Sequence, residues 1–258
     1  MHHHHHHLIA NILHLLAGGG LGMLSAGLAG HFGWRSADRM PGESRNPQCV
    51  YCYHPYTWQE ISPLFGWLLR SDTLSFLCPC GLKKNQWPQP ACEVAGFLLG
   101  LIAMYFQDWS WAAVPLCLGI GLLPAITLID LHFGIIPDGL NALLGLLGLL
   151  YVWMSGGDVW LALAVSAALL CVGLFFAVVY SKWRGREMLG LGDVKFFAAA
   201  GFWLHAQNAP WFFAGGGLIG LLFNFWWRRH SDDKQFPFAP ALCLSLAICI
   251  LYQAAGSP

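Results

Sequence analysis

Long runs of apolar residues recur along the chain, separated by short polar stretches. A helix that spans a bilayer needs about 20 predominantly apolar residues, within a range of about 17–25. Several runs are at the short end of that range, and the second must extend into its flanks. The pattern therefore predicts an all-α polytopic membrane protein with about eight transmembrane helices. The predicted segments are Leu8–Trp34, Val94–Phe106, Trp111–Ile129, Gly139–Met154, Val159–Tyr180, Met188–Leu204, Trp211–Trp227 and Phe236–Tyr252.

Composition agrees with a chain whose main partner is membrane lipid. Hydrophobic residues make up 57% and charged residues 10%, whereas soluble domains carry about 25% charged residues. The net charge is zero, so there is no electrostatic basis for binding nucleic acid. His2–His7 are a purification tag. The predicted organisation is the tag at 1–7, a first transmembrane helix at 8–34, a Cys-rich segment at 35–92 and a seven-helix core at 93–258.

All thirteen lysines and arginines fall in alternate loops, on one side of the predicted membrane segments. Cytosolic loops carry the excess of positive side chains in membrane proteins. The Cys-rich segment is therefore predicted to be cytosolic, with both termini on the opposite side. These residues are Arg35, Arg39, Arg45, Arg70, Lys83, Lys84, Lys182, Arg184, Arg186, Lys195, Arg228, Arg229 and Lys234.

Two aspartates stand where apolar runs meet the predicted cytosolic side. Asp130 ends the third run and Asp193 lies in the sixth. The 11 residues from 194 to 204 are too few to cross about 30 Å at about 1.5 Å per residue. The sixth run must then begin near Met188, which would place Asp193 about 8 Å inside the membrane edge. Ionisable groups at such depth are candidate functional residues, so Asp130 and Asp193 are the predicted catalytic pair.

Two carboxyl groups within a few Å of each other suit aspartyl hydrolysis. At that separation they share a proton, so one acts as base on a water while the other donates to the carbonyl oxygen. Gly190 and Gly192 would let the backbone leave helical form and approach an extended substrate. Lys195 would favour ionisation of the pair. Asp138, which follows Pro137, is interpreted only as the N-cap of the fourth helix.

Other interpretations remain open at this point. Asp130 alone could be an interfacial acid, and a single Gly-x-Gly-Asp is common in glycine-rich loops. The pair at matching depth favours catalysis. A proton-coupled transporter would use Asp130 and Asp193 as relay groups, but it predicts carboxylates near the bilayer midplane and repeated halves, which the sequence lacks. A zinc-binding membrane scaffold needs only the cysteines.

Five of the nine cysteines fall in the polar segment. Cys49-x-x-Cys52 has the spacing of half a tetrahedral zinc site. Cys78-x-Cys80 is a tighter second half, for which Cys92 is an alternative ligand. A cytosolic location argues against structural disulfides. The pattern therefore predicts a structural zinc that holds together a segment too small for a large core, with free or redox-active thiols as the other interpretation.

These motifs resemble those of the bacterial type IV prepilin leader peptidases. The Gly-x-Gly-Asp motif of that family is similar to Gly190-Leu191-Gly192-Asp193, with Glu187 before it and Lys195 after it. The region of the family's other catalytic aspartate is similar to Asp130 with Ile136-Pro137-Asp138. The resemblance implies cleavage of a basic leader from type IV prepilins or pseudopilins by the two aspartates. It places the chain in the bacterial inner (cytoplasmic) membrane, with the active-site edge facing the cytosol.

The Cys-rich segment shares some family elements and departs from others. Pro41-Gly42-Glu43-Ser44 precedes the first cysteine pair, as in the family. The family usually carries a second Cys-x-x-Cys where this chain has Cys78-Pro79-Cys80, and its Arg-Tyr-Pro stretch is replaced by Gln86–Cys92. Family members often also methylate the new N-terminus with S-adenosylmethionine. By analogy, the Cys-rich segment is where that activity is expected.

Overall fold

The apolar runs form eight helices in a computed structural model of the chain, counted over the residues that it describes, which are 2–37, 89–107, 110–184, 189–230 and 236–256. No β-strand occurs among these residues. A π-helical stretch, Phe175–Tyr180, and a last turn, Ser181–Arg184, extend the fifth helix. The helices are α1 (His2–Ala37), α2 (Gln89–Phe106), α3 (Ala113–Phe133), α4 (Asp138–Met154), α5 (Val159–Leu174), α6 (Leu191–Gly201), α7 (Ala209–His230) and α8 (Ala239–Gly256).

Five helical stretches are long and apolar enough to cross a membrane, one of which includes a 3-10 turn, Ala206–Asn208, before α7. Two further apolar helices, α2 and α4, are shorter. The prediction of an all-α polytopic membrane protein is therefore confirmed. The five stretches are Ile9–Gly33, Ala113–Phe133, Val159–Trp183, Ala206–His230 and Ala239–Gly256.

The second and sixth helices begin at other residues than predicted. Helix α2 begins at Gln89 rather than Val94, because Pro90 is tolerated in a first turn, where backbone N–H groups have no helical partner. The boundary predicted at 92 and 93 thus lies inside α2. Helix α6 covers only Leu191–Gly201, since Gly190 before it is extended, with φ −70° and ψ 148°. Asp193 therefore lies about 3 Å along the helix axis from the first residue of α6.

Glycines bring α1, α2 and α3 into backbone contact. A Cβ atom at Gly22 would overlap the carbonyl oxygen of Gly96, and one at Gly100 would overlap that of Gly18. A Cβ at Gly121 of α3 would also overlap the Gly22 carbonyl oxygen. Small residues four positions apart are typical of helix pairs in membranes, where close packing drives association. These three helices form one side of the bundle.

The short helix α6 is held by the helices on either side of it. Ser166 Oγ of α5 donates to the carbonyl oxygen of Ala198 at 2.7 Å. Beyond the end of α6, the indole Nε1 of Trp203 donates to Leu144 O of α4 at 3.0 Å. A Cβ at Gly119 of α3 would overlap the Trp203 ring, so the missing side chain makes room for the indole. These contacts fix α6 between α4 and α5.

Side-chain bonds join the helix ends on both sides of the bundle. On one side Gln107 Nε2 donates to the Tyr151 hydroxyl at 2.8 Å, and Asn208 Nδ2 donates to Gln253 Oε1 at 2.8 Å. On the other side the end of α3 meets the starts of α4, α6 and α8. The two predicted catalytic aspartates lie at this end of the bundle, where α3 ends and α4, α6 and α8 begin.

Candidate active site

Asp130 lies in the last turn of α3 and is 5% exposed. The helix ends because Gly134 takes the left-handed conformation, with φ 66° and ψ 25°, and its N–H donates to the Asp130 carbonyl oxygen at 2.8 Å. Glycine adopts positive φ without a steric cost. The side-chain oxygen Oδ2 accepts the backbone N–H of Ala239 at 2.8 Å. Asp130 is thus fastened to the N-terminus of α8.

Asp193 is the third residue of α6 and is partly buried. Its carboxyl group accepts a hydrogen bond from the backbone N–H of Gly190, the N-cap residue. A side chain at this position that reaches back to the N-cap N–H satisfies one of the donors that a helix start leaves unpaired. Both aspartates therefore bind a backbone N–H at the beginning of a helix, which restricts how each carboxyl group can turn.

The structure brings the two carboxyl groups into one electrostatic environment. Asp130 interacts electrostatically with Asp193. Cys243 of α8, which is 3% exposed, interacts with both aspartates and is hydrogen-bonded to Thr127. The pair predicted on the third and sixth segments thus lies at the same end of the bundle, beside a buried thiol that the sequence did not single out.

The two glycines of the Gly-x-Gly-Asp motif differ in backbone conformation. Gly190 has an extended backbone that other residues also adopt, and Gly192 is helical. A Cβ at Gly192 would lie 3.4 Å from that of Ile136. The Gly192 carbonyl oxygen accepts from Asn141 Nδ2 at 3.1 Å. The expectation that both glycines break helical form is therefore wrong for Gly192, which lies in the first turn of α6 and joins that turn to α4 through its carbonyl oxygen.

Lys195 and Asp138 also connect α6 to the start of α4. Lys195 Nζ lies 2.6 Å from Asp138 Oδ1, and the two side chains are 51% and 73% exposed. An exposed pair of this kind contributes only about 0–1 kcal/mol. The bond directs Lys195 to Asp138 rather than to the aspartate pair. The N-cap of α4 is Pro137, so the interpretation of Asp138 as an N-cap is wrong.

The predicted zinc ligands Cys49, Cys52, Cys78 and Cys80 lie outside the described residues. Cys92 is described, and it is fully buried, with its thiol donating to the Ala26 carbonyl oxygen at 3.3 Å. That position, in the contact between α1 and α2, does not favour Cys92 as a metal ligand. Among the described residues, no group of three or more His, Cys, Asp or Glu side chains could hold a metal ion.

Sequence reasoning missed the two residues that fasten the pair in place. Asn141 could have been identified from the sequence, since an amide side chain within an apolar run needs a hydrogen-bond partner in the membrane. Ala239 carries no such signal, because it acts only through its backbone N–H.

Two comparisons with known proteins agree with each other. Residues 117–225, which include both aspartates, match the model of the type IV leader peptidase family. The prepilin leader peptidase/N-methyltransferase of Aeromonas hydrophila is 30% identical over 79% of this chain and 70% of that protein. The protein of the same name from Neisseria gonorrhoeae is 31% identical over 76% of this chain and 68% of its own length. The protein from Aeromonas salmonicida (strain A449) is 29% identical over 79% and 70%. No solved structure matches this chain.

Proposed function

Because this chain belongs to the type IV leader peptidase family, we propose that it removes the leader from type IV prepilins or pseudopilins, with Asp130 and Asp193 as the catalytic pair. The observation that supports this best is the meeting of the two carboxyl groups, each bonded to a backbone N–H at the start of a helix. Neither a proton relay nor a scaffold needs that arrangement, and the family and its named relatives favour neither alternative.

The chemistry follows from one proton shared by the two carboxyl groups. In the proposed mechanism a water molecule binds between them, and the ionised carboxylate takes a proton from it as the water oxygen attacks the scissile carbonyl carbon. The protonated carboxyl group donates its proton to the carbonyl oxygen, which gives a tetrahedral diol. When this collapses, the ionised carboxylate takes a proton from one diol hydroxyl, the C–N bond breaks and the leaving nitrogen takes the proton of the other carboxyl group, so the pair again holds one proton. The bonds from Ala239 and Gly190 hold the carboxyl groups in position throughout.

The proposed function is tested by mass measurement of a prepilin incubated with the purified chain in detergent or lipid. We expect a product that lacks the leader. With S-adenosylmethionine present, we expect the additional mass of one methyl group on the new N-terminus. That compound would supply the methyl group, and we assign it no residues, since 38–88 lie outside the described part. An uncleaved prepilin, under conditions in which a known family member cleaves it, would contradict the proposal.

A structural zinc at Cys49, Cys52, Cys78 and Cys80 is a further proposal, supported by the cysteine spacing alone. We expect metal analysis of the purified chain to find about one zinc per molecule. Cys49→Ser should release it and make residues 38–88 more sensitive to protease, because the metal replaces a core there. Cys171→Ser, which changes an exposed membrane thiol, is the control and should leave zinc unchanged. A zinc-free wild-type chain would count against the site.

We also propose that the chain lies in the bacterial inner membrane with the aspartate pair at the cytosolic edge. The support is the distribution of lysine and arginine, together with the contacts that place Lys195 on the same side as both aspartates. In intact cells, an impermeant thiol reagent should label Ser155→Cys, which lies between α4 and α5. It should label Ser36→Cys at the end of α1 only after the membrane is opened. Unsubstituted chain gives the background, and the reverse pattern would contradict this orientation.

A further inference from the structure

An apolar groove of about 520 Å³ runs along the bundle away from the aspartate pair. It lies between α4 and α5, with α6 as its floor, and Leu146, Leu170 and Ala198 are among the residues that line it. Asp138, Asn141 and Lys195 line its polar end. From Asn141 to Leu149 the groove follows about 12 Å of α4, at about 1.5 Å per residue. It therefore has the length of about two turns of an apposed helix.

Asn141, at the polar end, has a buried oxygen without a partner. The residue is 4% exposed, and its Nδ2 donates to the carbonyl oxygen of Gly192. Its Oδ1 is buried and has no hydrogen-bond partner in the described part of the chain. A buried acceptor that lacks a donor is costly, more so where no water is at hand. The polar end of the groove thus holds a buried acceptor that no donor among the described residues satisfies.

A helix that begins at this point supplies such a donor. The first four N–H groups of any helix have no partner within that helix. An acyl chain has no N–H donor, and the backbone N–H groups in the middle of a continuous helix are already bonded within that helix. The occupant that satisfies both the apolar walls and the unpaired oxygen is a membrane helix whose N-terminus lies at Asn141.

We propose that this groove binds the apolar helix that follows the cleavage junction of the substrate, and that Asn141 Oδ1 accepts one of the first N–H groups of that helix. The proposal rests on the proposed function and adds the location of the substrate. Because Asn141 is bonded to Gly192, the residue before Asp193, a helix that begins at Asn141 leaves the extended junction beside the aspartates. In the groove floor, the small side chains of Ala198 and Ala199 permit the close approach by which membrane helices associate.

Photocrosslinking in membranes tests which molecule occupies the groove. A photoreactive phenylalanine analogue replaces Leu146, which is 64% exposed in the groove, or Leu221 of α7, which is 65% exposed outside it. Both variants also carry Asp193→Asn, so that bound prepilin is not consumed. We expect crosslinks from position 146 to the apolar segment of the prepilin, and none from position 221. Crosslinks from 146 only to lipid or only to a second copy of this chain would overturn the proposal.

Kinetics separates the groove from the catalytic pair. Ala142→Trp fills the groove, and Ala168→Trp places the same side chain on an exposed part of α5 outside it. For the full prepilin we expect Ala142→Trp to raise KM at least tenfold with little change in kcat, and Ala168→Trp to leave both unchanged. A short peptide that holds the junction but no apolar helix should be cleaved equally by both variants.

The two proposals fail in different ways. If the unsubstituted chain cleaves prepilin but Ala142→Trp leaves KM unchanged, the groove is not the binding site and the peptidase function stands. If Ala142→Trp slows cleavage of the short peptide as well, the substitution acts on the catalytic pair and the groove proposal is overturned. If the unsubstituted chain cleaves no prepilin, both proposals are wrong.

Discussion

Asparagine in place of either Asp130 or Asp193 is expected to reduce prepilin cleavage by at least about 1,000-fold, because each carboxyl group is needed to move a proton. The fold should be retained, since the oxygen of an asparagine amide still accepts the N–H of Ala239 or Gly190. Cleavage is measured by product mass over time, and folding by the thermal unfolding transition in detergent. The double variant should be no worse than either single one, because residues that act as a unit give non-additive losses.

Asp158→Asn is the matched control for this experiment. Asp158 caps α5 at the opposite end of the bundle, where its Oδ1 accepts from the backbone N–H of Trp160 at 2.9 Å. Asparagine serves equally well as an N-cap, so activity and unfolding temperature should both stay unchanged. Full cleavage by the Asp193→Asn variant would exclude the proposed mechanism.

Valine at Gly22 is expected to destabilise the chain by more than about 3 kcal/mol, at the upper end of the overpacking range. Its Cβ atom would overlap the carbonyl oxygen of Gly96 and crowd the Cα atom of Gly100, and backbone atoms cannot move aside as the end of a side chain can. For a chain of this size that loss lowers the unfolding temperature by about 10 °C. The measurement is thermal unfolding of the purified protein.

Gly20→Val provides the comparison on the same helix. No heavy atom lies within 4 Å of a Cβ at Gly20, so this variant carries the same change in helix propensity without the overlap. It should unfold within a few degrees of the wild type. Equal unfolding temperatures for the two variants would contradict the close contact between α1 and α2.

The membrane helices could be predicted because each carries its own signal. An apolar run such as 113–133 forms a helix wherever it contacts lipid, since every backbone N–H and carbonyl group must be bonded within the segment. The aspartates could be singled out for a similar reason, because carboxyl groups stand out in such runs. Both inferences depend only on residues that are neighbours in the sequence.

The contacts that build the site could not be predicted in this way. Lys195 pairs with Asp138 rather than with Asp193, which is nearer to it in the sequence, because the start of α4 lies beside that of α6. Beyond the end of α6, Trp203 packs against α3 and α4. Each feature depends on residues that are far apart in the sequence, and no pattern of neighbouring residues indicates that they are in contact.

The bond between Asp130 and Ala239 has a consequence for the order in which the chain becomes active. The two residues are 109 positions apart, an interval of about 5–20 s at a synthesis rate of about 5–20 residues per second. When the ribosome has just added Asp130 to the chain, it has therefore not yet added Ala239, whose backbone N–H binds the Asp130 side chain. We therefore expect the proposed catalytic site to be completed only when the final helix enters the membrane, and a nascent or truncated chain that stops before residue 239 to lack peptidase activity.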